Sequence, residues 1–294
     1  MANLIDLRRR IRSVRNTQQI TKAMKMVAAS KLRRAQDRVI SARPYARTLE
    51  ATLASLAGKI PESADGAAAH PLLERREEKK VVVVVVTGDK GLCGGFNANV
   101  LRTTTPFLAE LKAKGIEDVK LVLLGRKGAD FFKRRPVSIL DARPGIFGRF
   151  DYGTGAEIAR ALAARFTAGE CDAVYAIYNE FKSVIAQVVR TKRLLPLELP
   201  AVAAAGGQGS DCLYEPAPDV ILGRLVPRHL EFQLYSILLE SNAAEQGARM
   251  TAMDGASKNA GDVIDSLSLI YNRARQSRIT TELNEIVSGA AALD

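Results

Sequence analysis

The chain has 294 residues, enough for one large domain or two smaller ones with a real core. No apolar run approaches the ~18 residues of a membrane span. Three scattered cysteines (Cys93, Cys171, Cys212) and two histidines (His70, His229) exclude a disulfide framework, favour a reducing compartment and argue against a zinc site or a serine–histidine triad.

The net charge of +11 is localised. Residues 1 to 59 hold fourteen Lys/Arg against three Asp/Glu, a surplus of eleven, and the remainder balances to zero. A basic, acid-poor start resembles a transit peptide. Against that, the pattern continues unbroken for nearly sixty residues, so the segment is expected to stay in the folded protein. From Leu4 a three-four spacing runs through Leu7, Ile11, Val14, Ala28, Leu32, Ala35, Val39, Leu49, Leu53 and Leu56. That spacing predicts one long helix with a coiled-coil seam over 1–59, which Pro44 kinks without ending. Gln18, Thr21 and Lys25 interrupt the seam, while Ile20, Met24 and Val27 form a displaced stripe that predicts a second neighbour.

Residues 60–79 read as a linker, with two prolines and a charge run in which Glu77 and Glu78 are expected to be solvated. Over 80–195, β-branched runs (Val81–Val86, VKLVLLG from 119, AVYAIYN from 173, SVIAQVVR from 183) alternate with helical stretches near 97–114, 126–134 and 154–168. This alternation predicts an α/β, Rossmann-like domain with a mainly parallel sheet. Residues 196–219 form a second linker. Residues 220–294 are helical again, with Pro227 expected near a turn or helix start. Met253, Ala256, Ala260, Val263, Leu267, Ile270 and Ala274 supply a seam, and Ile279, Leu283, Ile286 and Ala290 continue it in a shifted phase. At ~1.5 Å per residue, sixty helical residues reach about 90 Å, longer than a compact domain requires. The expected fold is an α/β insert plus a long antiparallel coiled coil of N- and C-terminal helices.

The stretch TGDKGLCGGFN after the valine run is the one candidate phosphate loop. It fits neither G-x-x-x-x-G-K-[ST] nor G-x-G-x-x-G, and Asp89 would set a negative charge beside any anion. Its glycines are expected to serve tight turns and close helix–sheet packing. Ser210 lacks a nucleophile-elbow setting, and Cys93 reads as a small buried residue. No active site and no cofactor site is expected.

The two ends carry a specific resemblance. IRSVRNTQQITKA followed by MKMVAASKLRRAQ resembles the opening helix of the gamma subunit of F-type (rotary) ATP synthases. RMTAMDGASKNAGDVIDSLSLIYNRARQSRITTELNEIVSGAAAL is similar to that family's closing helix, through Ile279, Thr280, Glu282, Glu285, Gly289 and Ala290. The glycine turn is similar to a family motif as well. The resemblance implies a central-stalk rotor with no active site of its own. It would couple proton-driven rotation of a membrane c-subunit ring to conformational cycling of the catalytic subunits. The implied partners are the alpha and beta subunits of the catalytic hexamer, the epsilon subunit and the c-ring.

By motif position, Met24, Arg275, Gln276, Thr280 and Glu282 are implied as coupling contacts to catalytic subunits, and Tyr214 and Glu215 as the contact to the membrane ring. The bland alternatives are a core-filling methionine, a solvated helix face and a locally packed tyrosine. The chain lacks the cysteine-bearing insertion of chloroplast relatives. The implied location is peripheral, on the cytoplasmic side of a bacterial inner (plasma) membrane, without direct insertion. Two rivals remain: a coiled coil binding nucleic acid through its basic helix, and a nucleotide-using enzyme built on the α/β domain.

Overall fold

A computed structural model describes residues 4–57, 70–116, 118–198, 215 and 217–291. The chain forms two compact units, one of residues 1–30 and 249–294 and one of residues 31–248. Two helices contribute to both: α1, Leu4–Ala57, and α5, Pro218–Ala291.

The second unit is built on a five-stranded sheet of order β3-β2-β1-β4-β5. Its strands are β1 (Lys80–Val86), β2 (Asp118–Leu124), β3 (Ser138–Arg143), β4 (Ala173–Phe181) and β5 (Gln187–Leu195). The valine run explains the centre. β1 pairs in parallel with β2 on one side and β4 on the other, so both its faces are covered. Val82, Val84 and Val86 enter one apolar core, and Val81, Val83 and Val85 enter another. Such double burial is why a parallel strand reads as an unbroken β-branched run. The first core is shared with α4 (Tyr152–Thr167) and with buried residues of α1 and α5 such as Leu53, Leu56, Leu222 and Leu238. The second lies under α2 (Phe96–Ala113) and α3 (Arg126–Phe132).

Three expectations shift. Residues 183–186 are not strand but the tip of a hairpin, where the Lys182 and Ser183 amides donate to the Ala186 carbonyl. β5 follows and pairs antiparallel with β4, because so short a connection cannot make a parallel crossover. The edge strand β3 leaves no signal in the sequence because its side chains are exposed or half-buried and show no period-two alternation. Pro227 begins nothing; it lies inside α5. A proline there leaves the carbonyl four residues back, that of Gly223, without its usual donor, and Leu222, Val226 and Leu230, all buried, hold the helix on the core at that point. Burial of each is worth about 1.5–3 kcal/mol, enough together to offset the ~3 kcal/mol an interior proline costs.

In the first unit the two terminal helices run antiparallel, and the contacts fix their register. Arg8 donates to the Tyr271 hydroxyl at 2.7 Å. Ten residues up α1 and ten back along α5, Gln18 lies against Gly261, where an added Cβ would come within 3.2 Å of its amide nitrogen. Seven further on, Lys25 Nζ meets Asp254 Oδ1 at 2.6 Å. The polar residues that interrupt the seam are thus satisfied within it: Gln18 Nε2 donates to the Ser257 carbonyl, and Thr21 Oγ1 to that of Gln18.

Candidate coupling surface

The glycine turn is closed by its own bonds. The Asp89 carboxylate accepts the amides of Arg126 (2.9 Å), Gly145 (2.6 Å) and Phe147 (2.8 Å). It therefore occupies, at the first residue of α3, the place an anion would take at a helix N-terminus. The Gly88 amide is committed to Asn97 Oδ1 at 2.8 Å. Gly125, at φ +99, passes so close to β1 that a Cβ would lie 1.9 Å from the Thr87 carbonyl oxygen. Thr87 Oγ1 accepts the Gly128 amide at 2.8 Å. The motif staples β1 to α3, and its Cys93 is buried. Glu78, expected to be solvated, is half-buried and accepts the Tyr175 hydroxyl at 2.8 Å. Burial and that bond push the Tyr175 phenol up to about 12.

The candidate contact residues fall into separate places. Arg275, Gln276, Thr280 and Glu282 lie on α5, where every side chain from Arg275 to Ser288 is exposed. The register that pairs Arg8 with Tyr271 has, by then, no further described residue of α1 beyond Leu4 to offer. Arg275 and Glu282, seven apart, share a face, and Gln276 and Thr280, four apart, share the next one. Glu282 is held by Arg278 Nε at 2.8 Å, and Thr280 Oγ1 donates to the Gln276 carbonyl. The Arg275 guanidinium has no ion pair among the described residues. Interleaved with these polar groups, Ile279, Leu283, Ile286 and Val287 are 47%, 56%, 68% and 66% exposed. Ile279, Leu283 and Ile286 belong to the shifted seam, whose Ala290 has a side chain outside the described ones, and nothing among the described residues covers this stripe.

Met24 is half-buried in the first unit. By the helix register it sits level with Gly255, twenty residues from Arg275 and so about 30 Å along the axis. The structure does not bring it together with the α5 group. Glu215 is exposed, and Tyr214 lies outside the described residues, as does Cys212. The Lys25–Asp254 ion pair was missed in the sequence. Lys25 was visible on the seam, but its partner could be found only once the register was known. The paired carboxylate is held below its usual range by the hydrogen bond from Lys25.

An α/β domain whose phosphate-like loop is filled by its own carboxylate, joined in one chain to a helix pair with an uncovered stripe, defines a class. It is the class of helix-pair proteins whose uncovered apolar stripe offers surface to other chains. Comparison with known proteins agrees. The ATP synthase family model matches residues 3–293. The ATP synthase gamma chain of Chlorobaculum parvum is 50% identical, with 100% of this chain and 99% of the relative covered. That of Solibacter usitatus is 49% identical, with both chains covered in full. A chain of the central stalk/c-ring structure of the Tetrahymena thermophila mitochondrial ATP synthase is 26% identical, with a TM-score of 0.57, over 81% of this chain and 99% of that one. A chain from the Euglena gracilis mitochondrial rotor, 19% identical with a TM-score of 0.64 over 94% and 98%, shares the fold. The chain belongs to the ATP synthase gamma-chain family, the non-catalytic rotor-stalk subunit of F-type ATP synthase.

Proposed function

We propose that this chain couples rotation of a proton-driven c-subunit ring to the conformational cycle of a catalytic alpha–beta hexamer, through the exposed run of α5 from Arg275 to Glu282. The observation that carries this reading is the uncovered stripe of Ile279, Leu283, Ile286 and Val287, flanked by polar groups on neighbouring faces. Exposed apolar surface of this kind marks an interaction site. The polar flanks make its faces unequal, so turning the helix changes what a surrounding subunit touches. A rotor needs that inequality, because only differential contact can shift a neighbour between states. Arg275, with its planar fork of donors, suits a carboxylate or a carbonyl-lined loop of a catalytic subunit. Gln276, Thr280 and Glu282 supply hydrogen bonds beside it, and Met24 contacts a catalytic subunit lower on the same helix pair. Tyr214 and Glu215 contact the c-ring, and an epsilon subunit joins the stalk. The complex sits at the cytoplasmic face of a bacterial inner membrane, with this chain peripheral to it. No helix among the described residues is long and apolar enough to cross a membrane.

Reconstitution tests this. Catalytic subunits assembled with the full chain should show sustained ATPase turnover coupled to proton pumping when the membrane sector is added. Replacing Arg275 and Gln276 together with alanine should lower coupled turnover on the order of tenfold, the effect of losing about 1.4 kcal/mol of differential contact. The fold, read by circular dichroism, should be unchanged. Coupled turnover that is indifferent to omission of the chain would overturn the reading.

A further inference from the structure

The second unit contains a cavity of about 170 Å³ where α1, α5 and the β4–β5 pair meet. On α5 its lining includes His229, Gln233, Ser236 and Glu240, spaced four, three and four apart. That spacing puts them on one helix face, and this face turns polar groups toward the interior where apolar ones would be expected. Tyr178 of β4, itself buried, completes the inner wall. Arg43 and Glu50 of α1 and Lys192 of β5, all exposed, stand at the solvent side.

The inner groups are not mutually satisfied. Gln233 Nε2 lies 2.6 Å from His229 Nε2. With the amide as donor, the imidazole accepts there and is neutral. Glu240 Oε2 and Gln233 Oε1 are both buried without a hydrogen-bond partner. Arg43 and Lys192 form no ion pair with Glu240; they act on it only at a distance, while Glu180 on β4 opposes its ionisation. An ionised carboxylate with one oxygen buried and undonated bears a large desolvation cost. The cavity has room for several waters that can bond either form, so it is burial and the lack of an ion-paired cation that favour the protonated one.

We propose that this cavity is a proton-binding site in which Glu240 carries the proton, bonded to cavity water, and releases it to solvent past Arg43 and Lys192 as the pH rises. Burial, then the nearby Glu180, moves the carboxyl above its ordinary range against the pull of Lys192 and Arg43. Ionisation would place a negative charge where α1, α5 and the sheet join, and so would weaken the seating of both helices on the α/β domain. The site thus makes that attachment sensitive to proton activity.

The test uses the full-length chain, wild type, Glu240→Gln and Lys192→Met. Infrared titration of the wild type should show a protonated-carboxyl band persisting at a pH where ordinary glutamates are ionised, and Glu240→Gln should lack it. The wild-type melting temperature should step down as that band disappears, and Glu240→Gln should show no such step. Removing the Lys192 charge, which favours ionisation, should move band and step together to higher pH, a readout that survives even if Glu240→Gln folds poorly. Absence of the band in the wild type, its retention in Glu240→Gln, or a step that ignores Lys192→Met would overturn the proposal.

Discussion

At the scale of single residues, the glycine turn shows how one side chain decides between two readings of a motif. In the sequence, Asp89 argues against a phosphate site through its charge. Its positive role was not legible, because the amides it accepts belong to residues 126, 145 and 147 and meet only in the fold. Replacing Asp89 with alanine leaves three backbone donors short of an acceptor and should cost about 2 kcal/mol in denaturant unfolding. Gly125→Ala should cost well beyond the ~1 kcal/mol of a tolerated glycine change, since the methyl would collide with the Thr87 carbonyl at 1.9 Å. His229 makes a separate, pH-dependent prediction. Burial, with a smaller push from Lys192, lowers its pKa to about 4. The unfolded chain, near 6.5, therefore binds the extra proton between those values, so stability falls as the pH drops from about 6.5 toward 4. The full loss is roughly 3 kcal/mol. Glu240 has the opposite sign, its contribution declining as pH rises, so the slope is best measured in the Glu240→Gln background. There, His229→Gln should flatten the acid limb of a plot of unfolding free energy against pH.

At the scale of elements, legibility followed burial. The valine strand and α2, α3 and α4 could be placed to within a few residues because their apolar periodicity reports faces that really are covered. β3 could not, since an edge strand with half-exposed side chains leaves no pattern to read. Pro227 misled because local propensity lost to packing, and the buried run of Leu222, Val226 and Leu230 was the signal that outweighed it. The contact between α4 and α5 has a similar hidden requirement. Gly155 is buried, and a Cβ there would come within 3.1 Å of the Tyr235 Cα and Cβ and 3.2 Å of its backbone nitrogen. Because the obstruction is partly backbone, the helices must separate to admit it. Gly155→Ala should destabilise by about 1–3 kcal/mol, as overpacked sites do, and Gly155→Val by more, measured by thermal or urea unfolding.

At the scale of the whole molecule, the sequence carried the family and the course of the chain, because long motifs at both ends need no register to be recognised. It did not carry the placement of the candidate residues on the terminal helices: Arg275, Gln276, Thr280 and Glu282 form one exposed run on α5, with Met24 about 30 Å away along the axis. The charge does belong to this scale. Arg9, Arg10, Arg12, Arg15 and Lys22 are exposed on α1 and make no ion pair among the described residues, so these five charges of the basic segment are presented to solvent. Unpaired surface charge adds little to folding but steers association. At ~0.1 M salt the screening length is about 10 Å, short enough to blunt that steering. If the proposed partners are the right ones, the rate at which this chain joins catalytic alpha and beta subunits should therefore fall roughly tenfold or more between low and physiological ionic strength, with dissociation little changed. Replacing Arg9, Arg12 and Arg15 together with glutamine should slow association at low salt and flatten its salt dependence, while the melting temperature stays near that of the wild type. Stopped-flow mixing across a salt series separates the cases. An unaltered slope in the triple variant would mean that the basic helix meets no acidic surface on the way in.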